Sequence, residues 1–209
     1  MTRDVVLLHG LWMNRYAMLP LARHLARAGF VPHALTYRSF ARGLADHVAR
    51  VERLVASIGA PRVHFVAHSM GGVVTAAYLA QARPGVADRV VLLGSPVAGC
   101  RAGRAVAGHR ALWAALGASV EVWRNHPGCT LPKEVAVGAI AGVGRVGAGR
   151  FFVELPEPND GVVMVSETRV PGLAGHLVLP VSHSLMLVDR TVARETVHFL
   201  RHGRFEPHA

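Results

Sequence analysis

The stretch that decides the fold is residues 63–78, which read VHFVAHSMGGVVTAAY. Its first part, residues 63–66, is an apolar and β-branched run that predicts a buried strand, and the part after the serine predicts a helix. A strand that turns directly into a helix places Ser69 at the turn. The residues two before and two after it must then be small, because strand and helix converge there. Ala67 and Gly71 meet that requirement.

The same succession of apolar run, turn and amphipathic helix extends in both directions from this stretch. Strands are predicted over residues 4–9, 30–36, 62–67, 88–93, 134–139 and 177–181, and helices over 15–28, 41–58, 70–81 and 184–201. Short apolar runs that alternate with helices are typical of a parallel sheet covered on both faces. We therefore predict a doubly wound α/β fold with a mainly parallel sheet of about six strands. We expect residues 1–209 to form one domain without a large cap.

The composition favours a protein with a sizeable buried core, since 51% of the 209 residues are hydrophobic and only 17% are charged. No apolar run reaches the roughly eighteen residues that are needed to cross a bilayer. The N-terminal residues lead straight into the first strand and lack the pattern of a secretory signal. This predicts a cytoplasmic protein, or a secreted one if a signal has been removed.

The net charge of +10 comes almost entirely from arginine, because Lys133 is the only lysine. The arginines are scattered singly, without the dense runs and interleaved aromatic residues that indicate nucleic-acid binding. We interpret the charge as compositional bias and predict no nucleic-acid partner, while peripheral contact with anionic lipid stays open. Cys100 and Cys129 match neither a metal spacing nor a disulfide framework, so we expect free thiols.

Ser69 is the candidate nucleophile. Holding its hydroxyl clear of the sheet requires a strained backbone and small neighbours, which the sequence supplies. The alternative is a serine that caps the helix, but a capping serine does not need small residues on both sides. A serine hydroxyl becomes a good nucleophile only when a base removes its proton.

His183 is the candidate base among the thirteen histidines. It follows the predicted strand 177–181 and precedes the last helix, which places it at the carboxyl edge of the sheet. His176 opens the same strand and therefore lies at the opposite edge. Three histidines that precede the serine are expected on the surface, namely His24, His33 and His47.

Asp160 is the candidate acid, because it lies in a turn between the serine and the histidine. Its surroundings, Asn159-Asp160-Gly161, would also suit a plain turn aspartate. Three glutamates stay as alternatives for the same role, namely Glu154, Glu157 and Glu167.

The oxyanion that forms on attack needs preorganised N–H donors. We predict that these are the backbone N–H of Met70, at the start of the helix, and that of Leu11, where Gly10 lets the chain turn after the first strand. Four apolar residues are expected to form an acyl pocket, or else to belong to the core: Trp12, Met70, Leu185 and Met186.

These residues together resemble the α/β-hydrolase superfamily, and most closely its small cap-less bacterial lipases and esterases. Residues 66–72 look like the nucleophile elbow, 9–11 like the oxyanion loop, 159–163 like the acid turn and 182–183 like the histidine loop. The resemblance runs over residues 4–202. It implies acyl transfer to Ser69, a covalent acyl-enzyme and hydrolysis by water activated through His183, with no metal or organic cofactor.

The chain departs from this family pattern in three ways. Residue 67 is alanine where glycine is usual, and no secretory signal is visible although such lipases are usually secreted. Residues 95–132 are expected to hold only one or two short helices, which favours an esterase with an open site over a lipase with a lid.

Three functions are consistent with the sequence. The first is the hydrolysis of carboxylic esters, of a small molecule or a lipid. The second is a thioesterase or acyltransferase with the same triad, which only the shape of the pocket would distinguish. The third is a non-catalytic relative that binds a ligand or partner, which the complete set of triad residues disfavours. The sequence predicts neither the acyl chain nor the oligomeric state.

Overall fold

The computed structural model describes residues 2–82, 84–124, 128–144, 154–156 and 158–207. Within these ranges, six strands form one sheet: Asp4–Leu8 (β1), Val31–Leu35 (β2), Val63–His68 (β3), Ala87–Leu93 (β4), Ala136–Gly142 (β5) and Gly175–Leu179 (β6). The strand order is β2-β1-β3-β4-β5-β6, and every neighbouring pair is parallel. The predicted six-stranded α/β sheet is therefore confirmed.

β3 is the central strand that carries the chain to Ser69. All six of its residues are buried, as expected for a strand covered on both faces. Its Ala67 is in register with Leu8 of β1 and with Leu92 of β4. Because these three parallel strands end level with one another, the loops that follow them meet at one edge of the sheet.

The α-helices within the described ranges are Leu19–Arg27 (α1), Leu44–Ile58 (α2), Met70–Leu79 (α3), Arg101–Gly108 (α4), Trp113–Leu116 (α5), Val120–Arg124 (α6) and Arg190–His202 (α7). α2 and α3 pack on the face of the sheet that presents Val6 and Phe65. α1 and α7 pack on the other face, against Val5 and Val66. Helices therefore cover both faces, as predicted. No helix in the described residues has the length and hydropathy to cross a bilayer.

Two of the predicted helices begin at least four residues later than expected. The chain over Ser184–Leu187 forms a single 3₁₀ turn, and α7 starts only at Arg190. The cause is Asp189, whose carboxylate accepts a hydrogen bond from the Val192 N–H at 2.9 Å and so caps the helix. Near the N-terminus, a 3₁₀ turn over Arg15–Met18 precedes α1 in the same way.

Residues 101–124 differ from the expectation of one or two short helices between β4 and β5. They form three short α-helices, α4 to α6, which we call the cap segment. α4 packs closely on α6: a Cβ atom placed on Gly103 would lie 3.0 Å from the Trp123 ring. Trp123 is buried with Val106 and Val120 in the core on this side of the sheet. The cap segment is small, but it covers the carboxyl edge beside Ser69.

Candidate active site

Ser69 has the strained backbone that the sequence predicts for an elbow. Its φ of 54° is positive, and among the non-glycine residues that the structure describes only Trp12 shares this property. Ser69 is the N-cap residue of α3, yet its side chain makes no capping hydrogen bond. A serine kept for capping would make that bond, so the capping alternative does not describe Ser69. Its hydroxyl is left for another use.

Gly71 lies where α3 crosses the end of β1. A Cβ atom at this position would be 2.7 Å from the carbonyl oxygen of Leu8 and 2.8 Å from that of His9. Both neighbours are backbone atoms of a buried strand end, which cannot move aside as a flexible side chain can. The need for a small residue two positions after the serine is therefore a direct consequence of this crossing.

We expect Gly71→Ala to destabilise the protein by about 1–3 kcal/mol, because the added methyl group must push α3 away from β1. This corresponds to a fall in Tm of about 2–12 °C for a chain of this size. Gly108→Ala in α4 is the matched control, since no atom lies within 4 Å of a Cβ placed there. Thermal unfolding followed by circular dichroism compares the two variants. Equal melting temperatures would contradict the steric explanation.

Asp160 and His183 are in direct contact. The Nδ1 atom of His183 lies 2.7 Å from Oδ2 of Asp160, and the His183 backbone N–H donates to the Asp160 carbonyl at 2.9 Å. Because a carboxylate oxygen accepts hydrogen bonds, Nδ1 carries the proton. Nε2 is then left with its lone pair, as a general base requires.

The Asp160 carboxylate is held in a fixed orientation. Its Oδ1 accepts hydrogen bonds from the N–H groups of Val162, at 3.0 Å, and Val163, at 2.8 Å. With Oδ2 bound to His183, both carboxylate oxygens are occupied and the side chain is only 1% exposed. The turn that the sequence predicts at Asn159-Asp160-Gly161 thus orients the carboxylate as well as reversing the chain.

Glu167 is also buried, but its carboxylate accepts hydrogen bonds from backbone N–H groups. One of its carboxylate oxygens accepts from the N–H of Arg101, and the other accepts from the N–H of Met164 at 2.9 Å. Burial raises its pKa above the ordinary value. Glu154 is exposed, and Glu157 lies outside the described residues. Among the described carboxylates, the one bonded to His183 is that of Asp160.

His68 is a buried histidine next to the serine whose role the sequence does not indicate. Its Nε2 lies 3.0 Å from the carbonyl oxygen of His183, and the two ring centroids are 4.7 Å apart. Burial lowers the pKa of His68 to about 3, so the ring is neutral at ordinary pH and Nε2 donates the hydrogen bond. His68 thereby ties the loop that carries His183 to the end of β3.

The loop after β1 is fixed by a column of three aromatic rings. Tyr37 donates its hydroxyl hydrogen to the His9 carbonyl, and the two rings stack with centroids 4.3 Å apart. His47 also packs against Tyr37, with the ring centroids 4.8 Å apart and the two rings tilted. The expectation that His47 lies on the surface is therefore wrong: it faces inward from α2 and is fully buried. This column holds the backbone that leads into Gly10 and Leu11.

An apolar cavity of about 220 Å³ opens beside Ser69. Both Ser69 and His183 line it, together with Gly10 and Leu11 of the loop after β1. Its apolar wall consists of Trp12, Val106, Leu116, Trp123 and Val163, among others. Met70 occupies the first position of α3, where a backbone N–H has no partner within the helix.

Three of the four residues proposed for an acyl pocket lie elsewhere. The Met70 side chain points into the core. Met186 is fully buried, and its Cε would lie 2.7 Å from a Cβ placed on Gly142 at the end of β5. Leu185 is 57% exposed and lines a separate surface groove beyond β6. For Leu185 and Met186 the cause is the 3₁₀ turn over Ser184–Leu187, which leaves Ser184 and Leu185 exposed and places Met186 and Leu187 in the core. Of the four, Trp12 lines the cavity beside Ser69.

The sequence profile of the alpha/beta hydrolase family matches residues 5–201. The chain belongs to the alpha/beta hydrolase family. Its structure is similar to that of the lipase BlEst2 of Bacillus licheniformis in mature form, with a TM-score of 0.76 and 17% identity over 96% of this chain and 91% of that one.

Two further solved structures share the fold of this α/β hydrolase. An esterase from Exiguobacterium antarcticum has a TM-score of 0.68 and 14% identity, over 95% of this chain and 92% of that one. The carboxylesterase CesB from Bacillus subtilis has a TM-score of 0.59 and 15% identity, over 97% of this chain and 84% of that one. No curated protein matches the sequence. At these identities the likeness establishes the fold.

The cavity of this α/β hydrolase also contains a thiol. Cys100 lines the cavity, and both it and Cys129 are thiols, as expected from the sequence. Burial raises the pKa of each thiol to about 12, so both are protonated at neutral pH. A protonated thiol is a poor nucleophile, and Cys100 therefore contributes apolar surface beside Ser69. Among the described residues, no three His, Cys, Asp or Glu side chains are grouped to hold a metal ion.

The part of the cavity wall that the cap segment provides is not predicted from the sequence. Ala102, Val106, Leu116 and Trp123 all come from it. The spacing of Ala102 and Val106, four residues apart on α4, was a visible signal of a buried helical face. The sequence did not show which surface that face covers.

Proposed function

We propose that this α/β hydrolase cleaves carboxylic esters with Ser69 as nucleophile, His183 as general base and Asp160 as the acid that orients the base. The observation that carries the proposal is the 2.7 Å contact between His183 and Asp160, on a histidine that shares its cavity with Ser69. This contact fixes the tautomer in which His183 accepts a proton at Nε2.

The reaction proceeds in two halves. Ser69 Oγ attacks the ester carbonyl carbon while its proton passes to His183 Nε2, and the negative charge on the carbonyl oxygen is stabilised by the N–H groups of Met70 and Leu11. The tetrahedral species then expels the alcohol, which takes the proton from His183, and leaves an acyl-Ser69 ester. Water repeats these steps and releases the acid. Asp160 stays ionised and stabilises the imidazolium.

The cavity favours an ester with a short or medium acyl chain. Its wall is mainly apolar, and its volume of about 220 Å³ is below the range of about 300–1,000 Å³ that is usual for drug-sized ligands. Trp123 of the cap segment is a buried part of that wall and lies close to α4, since a Cβ atom placed on Gly103 would be 3.0 Å from its ring. We propose that this indole limits the length of the chain.

A series of p-nitrophenyl esters of increasing chain length tests the proposal, with an acyl-CoA as control. We expect kcat/KM to be highest for short acyl chains and to fall as the chain lengthens. Trp123→Ala should shift the preference toward longer chains by opening the cavity. Trp113→Ala is the matched control, because Trp113 belongs to the same segment but does not line the cavity.

The outcomes separate the candidate functions. Faster turnover of the thioester than of every ester would assign the chain to the thioesterases. Absence of turnover on all substrates, in a protein that is folded, would support a binding role. An unchanged chain-length profile in Trp123→Ala would refute the role given to the indole.

A further inference from the structure

A second pocket lies at the amino edge of the sheet, opposite the edge that carries Ser69. It has a volume of about 350 Å³ and lies between the starts of β1, β3 and β4 and the ends of α1 and α7. Its charged and titratable lining residues are Arg3, His64, Asp88, Arg89 and Arg201. Nothing in the proposed ester hydrolysis uses this pocket.

Three guanidinium groups in the pocket are anchored on backbone carbonyls at helix ends. Arg3 Nε donates to Gly29 O at 2.9 Å, Arg89 Nη1 to Leu200 O at 2.6 Å, and Arg201 Nη2 to Ala28 O at 2.7 Å. A guanidinium carries five N–H donors, so each retains donors for a ligand. Because the anchoring bonds already restrict these long side chains, little further ordering is required on binding.

The positive charge of these three arginines is offset only in part by the partial negative charge of the carbonyl ends of α1 and α7, to which they donate. Within the described part of the chain, no carboxylate forms an ion pair with any of them. Asp88 also lines the pocket, but its carboxylate lies 3.9 Å from Arg62 and 3.7 Å from His64. Burial lowers the pKa of His64, which is therefore neutral at ordinary pH. The pocket thus has an excess of two formal positive charges.

We propose that this pocket binds a dianionic phosphate group, either free or as the monoester of a small molecule. Planar guanidinium groups match the oxygen geometry of phosphate, and arginine is preferred where such groups are recognised. The arginines line a recess between helix ends, which favours a compact anion over an extended charged surface. The excess of two charges in the pocket equals the charge of a phosphate monoester.

The proposal is tested by calorimetric titration of inorganic phosphate and of glycerol phosphate into the whole protein at fixed ionic strength. We expect saturable binding, and an increase in Kd of about tenfold or more in Arg3→Gln and in Arg201→Gln, because each loses hydrogen bonds to a charged ligand. Arg53→Gln is the matched control, since Arg53 is also exposed and donates to a backbone carbonyl, Ala49 O at 3.2 Å, but lies outside the pocket.

Thermal unfolding shows that the variants are folded, and hydrolysis of p-nitrophenyl esters should be unchanged in all three. Binding of glycerol phosphate without binding of phosphate would place part of the recognition on the organic group and support the monoester. The proposal is overturned if neither compound binds, or if Arg53→Gln weakens binding as much as the pocket variants do. These outcomes do not depend on whether Ser69 is a nucleophile.

Discussion

Ser69→Ala is expected to remove ester hydrolysis and labelling by a fluorophosphonate probe together. In the proposed mechanism the hydroxyl attacks the ester, and Ser69 lines the same cavity as His183, so no acyl-enzyme is expected to form without it. From the behaviour of other serine hydrolases, kcat should fall by about 10⁶-fold. Mass spectrometry of the labelled protein locates the adduct, and p-nitrophenyl ester assays measure the rate.

Ser184→Ala is the matched control for this substitution. Ser184 also lines the cavity, is exposed, and is adjacent to His183, so it offers the probe a second hydroxyl in the same place. We expect labelling and turnover to persist in this variant. An adduct that survives Ser69→Ala would mean that another residue is the nucleophile.

Asp160→Asn is expected to lower kcat by about 10⁴-fold while leaving the fold intact. The amide oxygen can still accept from Val162 and Val163, which hold Oδ1 in the wild type. The amide nitrogen then faces His183 Nδ1 and donates to it. This moves the imidazole proton to Nε2, where the lone pair is needed, so the base is lost.

Two further variants test whether the loss of activity is specific to Asp160. Asp88→Asn has the same change of charge at the opposite edge of the sheet and should keep full activity. Glu167→Gln tests the remaining described glutamate that is buried near the site. Full activity in Asp160→Asn, with a large loss in Glu167→Gln, would transfer the role of the acid to Glu167.

The sequence predicts well those parts of the molecule whose structure depends on residues close together in the chain. The apolar runs locate all six strands, and the signal is strongest for the four inner strands, which are largely buried because helices cover both faces of the sheet. The elbow is equally local: Ala67, Ser69 and Gly71 are close in sequence, and the crossing of α3 over β1 requires a small residue at Gly71. The contact between Asp160 and His183 follows from strand ends that meet at one edge. Their catalytic roles stay predictions.

The parts that the sequence did not predict depend on contacts between distant segments. His47 has a polar side chain on an amphipathic helix, and its burial depends on Tyr37, which lies in a loop after a different strand. His68 is assigned a function only by its bond to a carbonyl 115 residues away. Leu185 and Met186 lie outside the cavity, one exposed and one in the core, because Asp189 starts the last helix late. Such contacts leave no periodic signal in a single sequence.

Glu167 has a consequence for how this protein can be engineered. Its carboxylate holds the first residue of the cap segment, through Arg101, and the Met164 N–H that follows the Asp160 turn. A single side chain thus joins the cap segment, which forms part of the cavity wall, to the turn whose Asp160 contacts His183. The cap segment should therefore not be replaced as an independent unit. We expect a graft that omits the Arg101 contact to alter turnover as well as chain-length selectivity. Libraries that aim at new substrates should keep Glu167 and vary the helix faces beyond it.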